Sequence, residues 1–166
     1  MPVSEIHWSW IDLGKLCLAV VLGFIIGYNR AIHHKPAGVT TMSIVTLAST
    51  LMMELSYQLS ASGIGPAGAD PARLAAAVMT GIGFLGAGVI MQTGGHIQGI
   101  TTAATIWIMT AIGLAIGAGY YLPALVAFGL LLLGVLVSPA IDRLVAKHAA
   151  RIDESYDDTI NDRRQS

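Results

Sequence analysis

A single cysteine, Cys17, stands in 166 residues, which excludes an internal disulfide framework and a cysteine-based metal cage. Charge is also scarce. Asp, Glu, Lys and Arg make up 11% of the chain, less than half the roughly 25% of a soluble globular domain. Nine Lys and Arg against ten Asp and Glu leave no basic excess, which excludes a strongly basic nucleic-acid binder. Acidic residues are missing altogether from Pro71 to Ile141. No Ser/His/Asp, Cys/His or metal-ligand spacing points to catalysis, and no cofactor is expected. What the chain has in quantity is apolar residues, 54% of it with a mean hydropathy of +0.68, and 19 glycines besides. The length allows one small domain, and the composition is that of a small polytopic membrane protein.

A membrane-crossing helix needs about 20 predominantly apolar residues. Five stretches qualify: residues 11–28, 39–59, 72–91, 101–117 and 120–137. Apolar residues occupy all their faces rather than one stripe, as in a lipid-embedded bundle. The expected fold class is all-α, a compact bundle of five transmembrane helices within residues 1–138. Asp12 and Lys15 fall in the opening turn of the first span, with Lys15 snorkelling to the interface. Ahead of that span stands Glu5 and no Lys or Arg, and no small-x-small cleavage site follows it. It therefore reads as an anchor rather than a signal peptide. From Pro139 the spacing of Ile141, Leu144, Val145, His148 and Ile152 predicts a juxtamembrane helix, followed by an acidic, polar tail to Ser166. No internal repeat of the transporter type is evident.

Lys and Arg in short flanking segments set the orientation. The first connection carries Arg30 and Lys35 beside His33 and His34, and the segment after the last span carries Arg143, Lys147 and Arg151. Four spans separate these regions, so both face the cytoplasm and the N-terminus lies outside. Trp8, Trp10, Tyr57, Tyr120 and Tyr121 then gather on the outer side as an aromatic belt.

The third span contains Gly81-x-Gly83-x-x-Gly86, formally a dinucleotide fingerprint. That motif works only between a strand and a helix with an acid about 20 residues on, and here there is neither. Packing is the better reading, because helices in lipid associate through small residues. Gly23-x-x-x-Gly27, Gly81, Gly83, Gly86, Gly88 and Gly113-x-x-x-Gly117 are the expected packing positions, with Thr101 and Thr102 in support. Thr105 and Thr110 add further hydroxyls to the fourth span. An unwound, ion-coordinating third span is the alternative. Gly94-Gly95, beside His96, reads as a flexible connection.

An ionisable side chain at the centre of a span costs roughly 2.5–3.5 kcal/mol, so each is a functional candidate. Glu54 is the clear case, and Asp12, Lys15, Asp70 and Arg73 belong near the same boundary. The simplest reading pairs Lys15 with Glu54 and makes Asp70 the cap of the third helix, ahead of Pro71, with Arg73 returning a bond to Asp70. The competing reading is a divalent-cation vestibule with Glu54 and Asp70 as metal ligands. Two carboxylates with two basic neighbours suit Mg²⁺ poorly, so the pairing is preferred. On the inner side Arg30, His33, His34 and Lys35 read as positive-inside topology, leading into a Pro36-Ala37-Gly38 turn. A contact patch for lipid phosphate, nucleotide or an acidic partner is the sharper alternative.

Several ordered blocks resemble the MgtC/SapB family of bacterial inner-membrane proteins. They are Gly27-x-x-Arg30, Lys35-Pro36-Ala37-Gly38, Asp70-Pro71-x-Arg73-x-Ala75-Ala76, Thr80 through Ile90, Gly99-Ile100-Thr101-Thr102-Ala103-Ala104, and Trp107. The resemblance covers roughly residues 13–138. It implies five spans with an outside N-terminus and a cytoplasmic C-terminus, and an association with magnesium limitation, with virulence and with inhibition of the F-type ATP synthase. It marks Arg30, Lys35, Asp70 and Arg73 as functional candidates, and the chain as a short form without the cytoplasmic domain of some relatives. The family usually reads Gly-Leu-Glu-Arg-Glu where this chain has Gly27-Tyr28-Asn29-Arg30-Ala31, and Gly-Leu-Arg-Thr-His where it has Gly38-Val39-Thr40-Thr41-Met42. Ala77 stands where Gln is common.

Two functions follow as expectations. The first is a non-enzymatic regulator in ionic or acid stress that binds a membrane complex such as the ATP synthase, the bilayer being its medium and self-association open. The second is a transporter of Mg²⁺ or another small solute.

Overall fold

Ser9 starts the first helix with a reciprocal cap: its hydroxyl accepts from the Asp12 amide, and the Asp12 carboxylate accepts from the Ser9 amide at 2.8 Å. The resulting helix, α1 (Trp10–Ile32), is followed by α2 (Val39–Ala61), α3 (Pro71–Val89), α4 (Ile100–Gly117) and α5 (Tyr121–Pro139). These come from a computed structural model that describes residues 8–61, 70–93 and 96–139, with 141 and 145. Five of the described helices are long and apolar enough to cross a membrane, and the fold is all-α apart from one short ribbon. The chain divides into two units, Met1–Phe128 and Gly129–Ser166.

In the first unit α2 and α4 each touch the other three of helices α1 to α4, and α2 packs most extensively against α1 and α4. The serines and threonines of α2 make it the least hydropathic of the five helices, yet Thr46, Ser49 and Thr50 are buried. Their hydroxyls are satisfied locally, Thr46 on the Met42 carbonyl at 2.8 Å and Ser49 on that of Val45 at 2.9 Å. Thr50 bonds its own helix at Thr46 and crosses to the Gly113 carbonyl of α4, both at 2.9 Å. Two glycine pairs let α2 come this close. A Cβ at Gly23 would stand 2.6 Å from the Ser43 Cα, and one at Gly27 would stand 2.9 Å from the Gly38 carbonyl oxygen. From the other side, a Cβ at Gly113 would meet the Thr46 carbonyl at 2.6 Å, and one at Gly117 the Met53 Cβ at 2.8 Å. Two small-xxx-small pairs thus clasp α2, that of α1 at its start and that of α4 farther along. Ile26, Met42, Ile106, Met109, Ile112 and Ile116 fill the space between.

Helix ends differ from the expected spans by up to four residues, and three of them bear on the site. The first span continues past Tyr28 to Ile32, because Arg30 is buried in its last turn rather than ending it. The third helix stops at Val89, where β1 (Met91–Thr93) pairs antiparallel with β2 (His96–Gln98). The connection is thus a ribbon, with Gly94 and Gly95 themselves outside the described residues. α4 begins at Ile100, behind Gly99 at φ 90, where a side chain would also strike the Val89 carbonyl. In the second unit α5 runs on from Gly129 to Pro139 with Leu130, Leu133 and Leu136 exposed. Of the juxtamembrane helix, Ile141 and Val145 are helical, while Leu144, His148, Ile152 and the tail lie outside the described residues.

Candidate functional site

Three features hold the residues singled out from sequence. The first surrounds Arg30, which is 3% exposed although it closes a helix. Its Nε donates to the carbonyls of Pro36 and Ala37 at 3.3 and 3.2 Å, and its Nη2 donates again to Pro36 at 2.9 Å. Nη1 donates to Thr105 Oγ1 at 3.1 Å and Nη2 to Thr102 Oγ1. A guanidinium fork suits this set of acceptors spread around it, as a lysine ammonium does not. The loop it grips is bent accordingly: Ala37 sits at φ 57, and its carbonyl is one of those that Arg30 holds. Arg30 is therefore not part of an exposed contact patch, which corrects the sharper sequence reading. His33, His34 and Lys35 are exposed beside it, and the Lys35 amide closes onto the Arg30 carbonyl at 3.0 Å. Thr102 is buried on Arg30, whereas Thr101 is exposed and is not a packing residue. Thr102 and Thr105, three apart, share the α4 face that Thr101 turns away from.

The second feature lies at the opposite end of the unit. Lys15 Nζ stands 2.8 Å from Glu54 Oε1 and 3.1 Å from Asp12 Oδ1, tying α1 to α2. Glu54 is 2% exposed. Beside this triad is a recess of about 290 Å³, lined also by Tyr57, Gln58 and the end of α4 at Gly117 and Ala118. Asp70 is elsewhere: its carboxylate caps α3 by accepting from the Ala72 amide at 2.9 Å. Asp70 is not among the residues that line the recess beside Glu54. Among the described residues no three His, Cys, Asp or Glu side chains group as a metal site. The exposed Arg73 bonds Asp70 through its backbone amide, at 3.0 Å from the Asp70 carbonyl.

The third feature is the bare side of α3. Gly86 packs on α4, 3.6 Å from the Ala103 Cβ by its would-be side chain, but a Cβ at Gly81, Gly83 or Gly88 would meet nothing within 4 Å. Among the described residues these three meet no neighbouring helix, whereas Gly86 faces α4. Ala72, Ala76, Thr80, Gly83 and Ala87 form one exposed row, and Ala77, Gly81 and Gly88 flank it with Phe84, which is 82% exposed.

The MgtC family profile matches residues 16–144. The chain belongs to the MgtC family. Protein MgtC of Brucella abortus (strain 2308) is 36% identical over 122 residues, covering 72% of this chain and 49% of that protein. Protein SapB of Bacillus subtilis (strain 168) is 36% identical over 146 residues, 82% of this chain and 62% of SapB. YhiD of Escherichia coli (strain K12), which bears a provisional magnesium-transporter name, is 41% identical over 109 residues, 64% of this chain and 51% of YhiD. The chain thus spans about half to two thirds of the length of these relatives. No solved structure matches it.

In this MgtC family chain the blocks that carried the resemblance meet in space. The Pro36 and Ala37 carbonyls of one block and Thr102 of the Gly99–Ala104 block meet on the Arg30 guanidinium, while Gly27 lies against Gly38 and Val39. Those blocks build the bundle. The Thr80–Ile90 block differs, since most of its glycines touch no neighbouring element among the described residues. The residues that sequence reasoning missed are Thr46, Ser49 and Thr50, and their signal was the low hydropathy of α2.

Proposed function

We propose that this protein is a membrane-embedded regulator in magnesium or ionic homeostasis that docks another membrane complex along α3, the F-type ATP synthase being the partner that the family resemblance suggests. The observation that supports this reading is the exposed row of small residues on α3. Lipid tails gain nothing from glycines, whereas a second helix approaching them gains close backbone contact. In the same reading the chain sits in a bacterial inner membrane, N-terminus outside, with Lys35 and the basic segment after α5 in the cytoplasm. A C-terminal reporter active only in the cytoplasm tests that orientation.

The docking test is co-purification of ATP synthase subunits from native membranes, together with ATP-driven proton pumping in inverted vesicles. Gly83→Leu and Ala76→Leu are expected to end both capture and inhibition while the protein still folds. Gly134→Leu, on α5 with open space around it, is expected to change neither. Capture that survives Gly83→Leu overturns the proposal. The recess at Glu54 and the name of YhiD favour a second reading, transport of Mg²⁺ or another solute, for which saturable Mg²⁺ flux into liposomes that Glu54→Gln abolishes is the expected sign.

A further inference from the structure

We propose that the recess beside Asp12, Lys15 and Glu54 binds one small monovalent cation, an alkali metal ion or an ammonium group. This does not rest on docking through α3.

The first observation is a mismatch of donors and acceptors. Glu54 Oε1 is taken by Lys15, but Glu54 Oε2 is buried with no hydrogen-bond partner. Gln58 Oε1 is buried and equally without one. These residues are four apart on α2 and both line the recess, so the two buried oxygens lie beneath one wall of it. A buried acceptor left unpaired is costly, and a carboxylate oxygen more so than an amide. Each lacks a donor or a cation.

Charge points the same way. Lys15 is shared between Asp12 and Glu54, so the three groups together carry one negative charge when ionised. The C-terminal end of α4, at Gly117 and Ala118, also lines the recess and turns the negative pole of that helix toward it. One positive charge balances the site.

Ligand type then selects the class. Carboxylate and amide oxygens are hard donors, suited to alkali ions and to N–H donors of ammonium. A divalent ion fits worse, because Mg²⁺ demands near-octahedral oxygen geometry and commonly takes one or two carboxylates. Here Asp12 is taken up by Lys15 and Ser9, and Glu54 offers a single free carboxylate oxygen beside one amide oxygen. The free volume of about 290 Å³ leaves room for the ion with part of its water shell, or for a short alkylammonium.

The test uses the whole protein in lipid nanodiscs at constant ionic strength, choline chloride replacing the titrant. Binding is read from ²³Na relaxation and from the thermal unfolding midpoint with Na⁺, K⁺ or methylammonium. Saturable ²³Na broadening is expected, displaced by K⁺ or by methylammonium. Whichever displaces at the lower concentration tells a metal-ion site from an ammonium site. Glu54→Gln is expected to weaken binding about tenfold or more, since it removes the nearest uncompensated charge. Gln58→Leu keeps the bulk and removes only the amide oxygen, so a smaller weakening is expected there, and this variant decides the matter if Glu54→Gln does not fold. Three results overturn the proposal: folded wild type with no saturable effect beyond choline, meaning that water or a proton fills the recess; Mg²⁺ displacing Na⁺ more strongly than K⁺ does; or wild-type affinity in the folded variants.

Discussion

Arg30, in the last turn of α1, donates to the hydroxyl of Thr102, in the first turns of α4 and 72 residues later in the chain. The same guanidinium holds the Pro36 and Ala37 carbonyls, so one side chain fixes a helix end, a turn and a distant helix start. A buried charge bonded only to neutral oxygens leaves little tolerance for change.

Arg30→Lys is expected to lower stability by about 3 kcal/mol, because an ammonium cannot reach all four acceptor residues and leaves some of them unpaired. Thr102→Val removes one acceptor and should cost about 1–2 kcal/mol. Thermal midpoints in the same detergent compare the two, and an unchanged midpoint for Arg30→Lys is the contrary result.

Glycine substitutions should divide by position. Gly27→Ala and Gly117→Ala place a methyl against backbone of α2 or the Met53 Cβ, and loss of the folded bundle on size-exclusion chromatography is expected. Gly81→Ala and Gly134→Ala meet open space and should raise stability by about 0.5–1 kcal/mol through helix propensity.

The Lys15–Glu54 pair lends itself to a double-mutant cycle. Lys15→Met leaves two carboxylates without their cation and should destabilise by about 3–5 kcal/mol. Adding Glu54→Gln to that variant should recover part of the loss, giving a coupling of about 1–3 kcal/mol by chemical denaturation. Additive losses would show that the pair is not coupled.

Ala37 holds a left-handed conformation at φ 57 without being glycine. Ala37→Gly is expected to raise the unfolding midpoint by an amount worth about 1 kcal/mol, since a Cβ there is penalised by about that much. Ala37→Val should lower it, the branched side chain being worse placed than alanine.

Composition and apolar run length were enough to read five spans and an all-α fold, because lipid admits no irregular backbone and a helix must be apolar for a fixed length to cross. The Gly23/Gly27 and Gly113/Gly117 pairs were legible for a similar reason: a four-residue spacing puts two small residues on one face whatever lies opposite. Which faces met was decided only in three dimensions. Gly83 and Gly113 are both glycines within helices, yet one touches nothing and the other lies under the Thr46 carbonyl. Arg30 read as a cytoplasmic surface charge, since local sequence shows no acceptors for it. Its partners arise because the α1–α2 turn and the start of α4 are brought to it by helices clasped elsewhere. Glu54 was found by its cost in an apolar segment, but only the packing of α1 on α2 shows that Lys15 takes one of its oxygens and leaves the other without a partner. Apolar length and local spacing act along the chain, and pairing of buried polar groups acts across it.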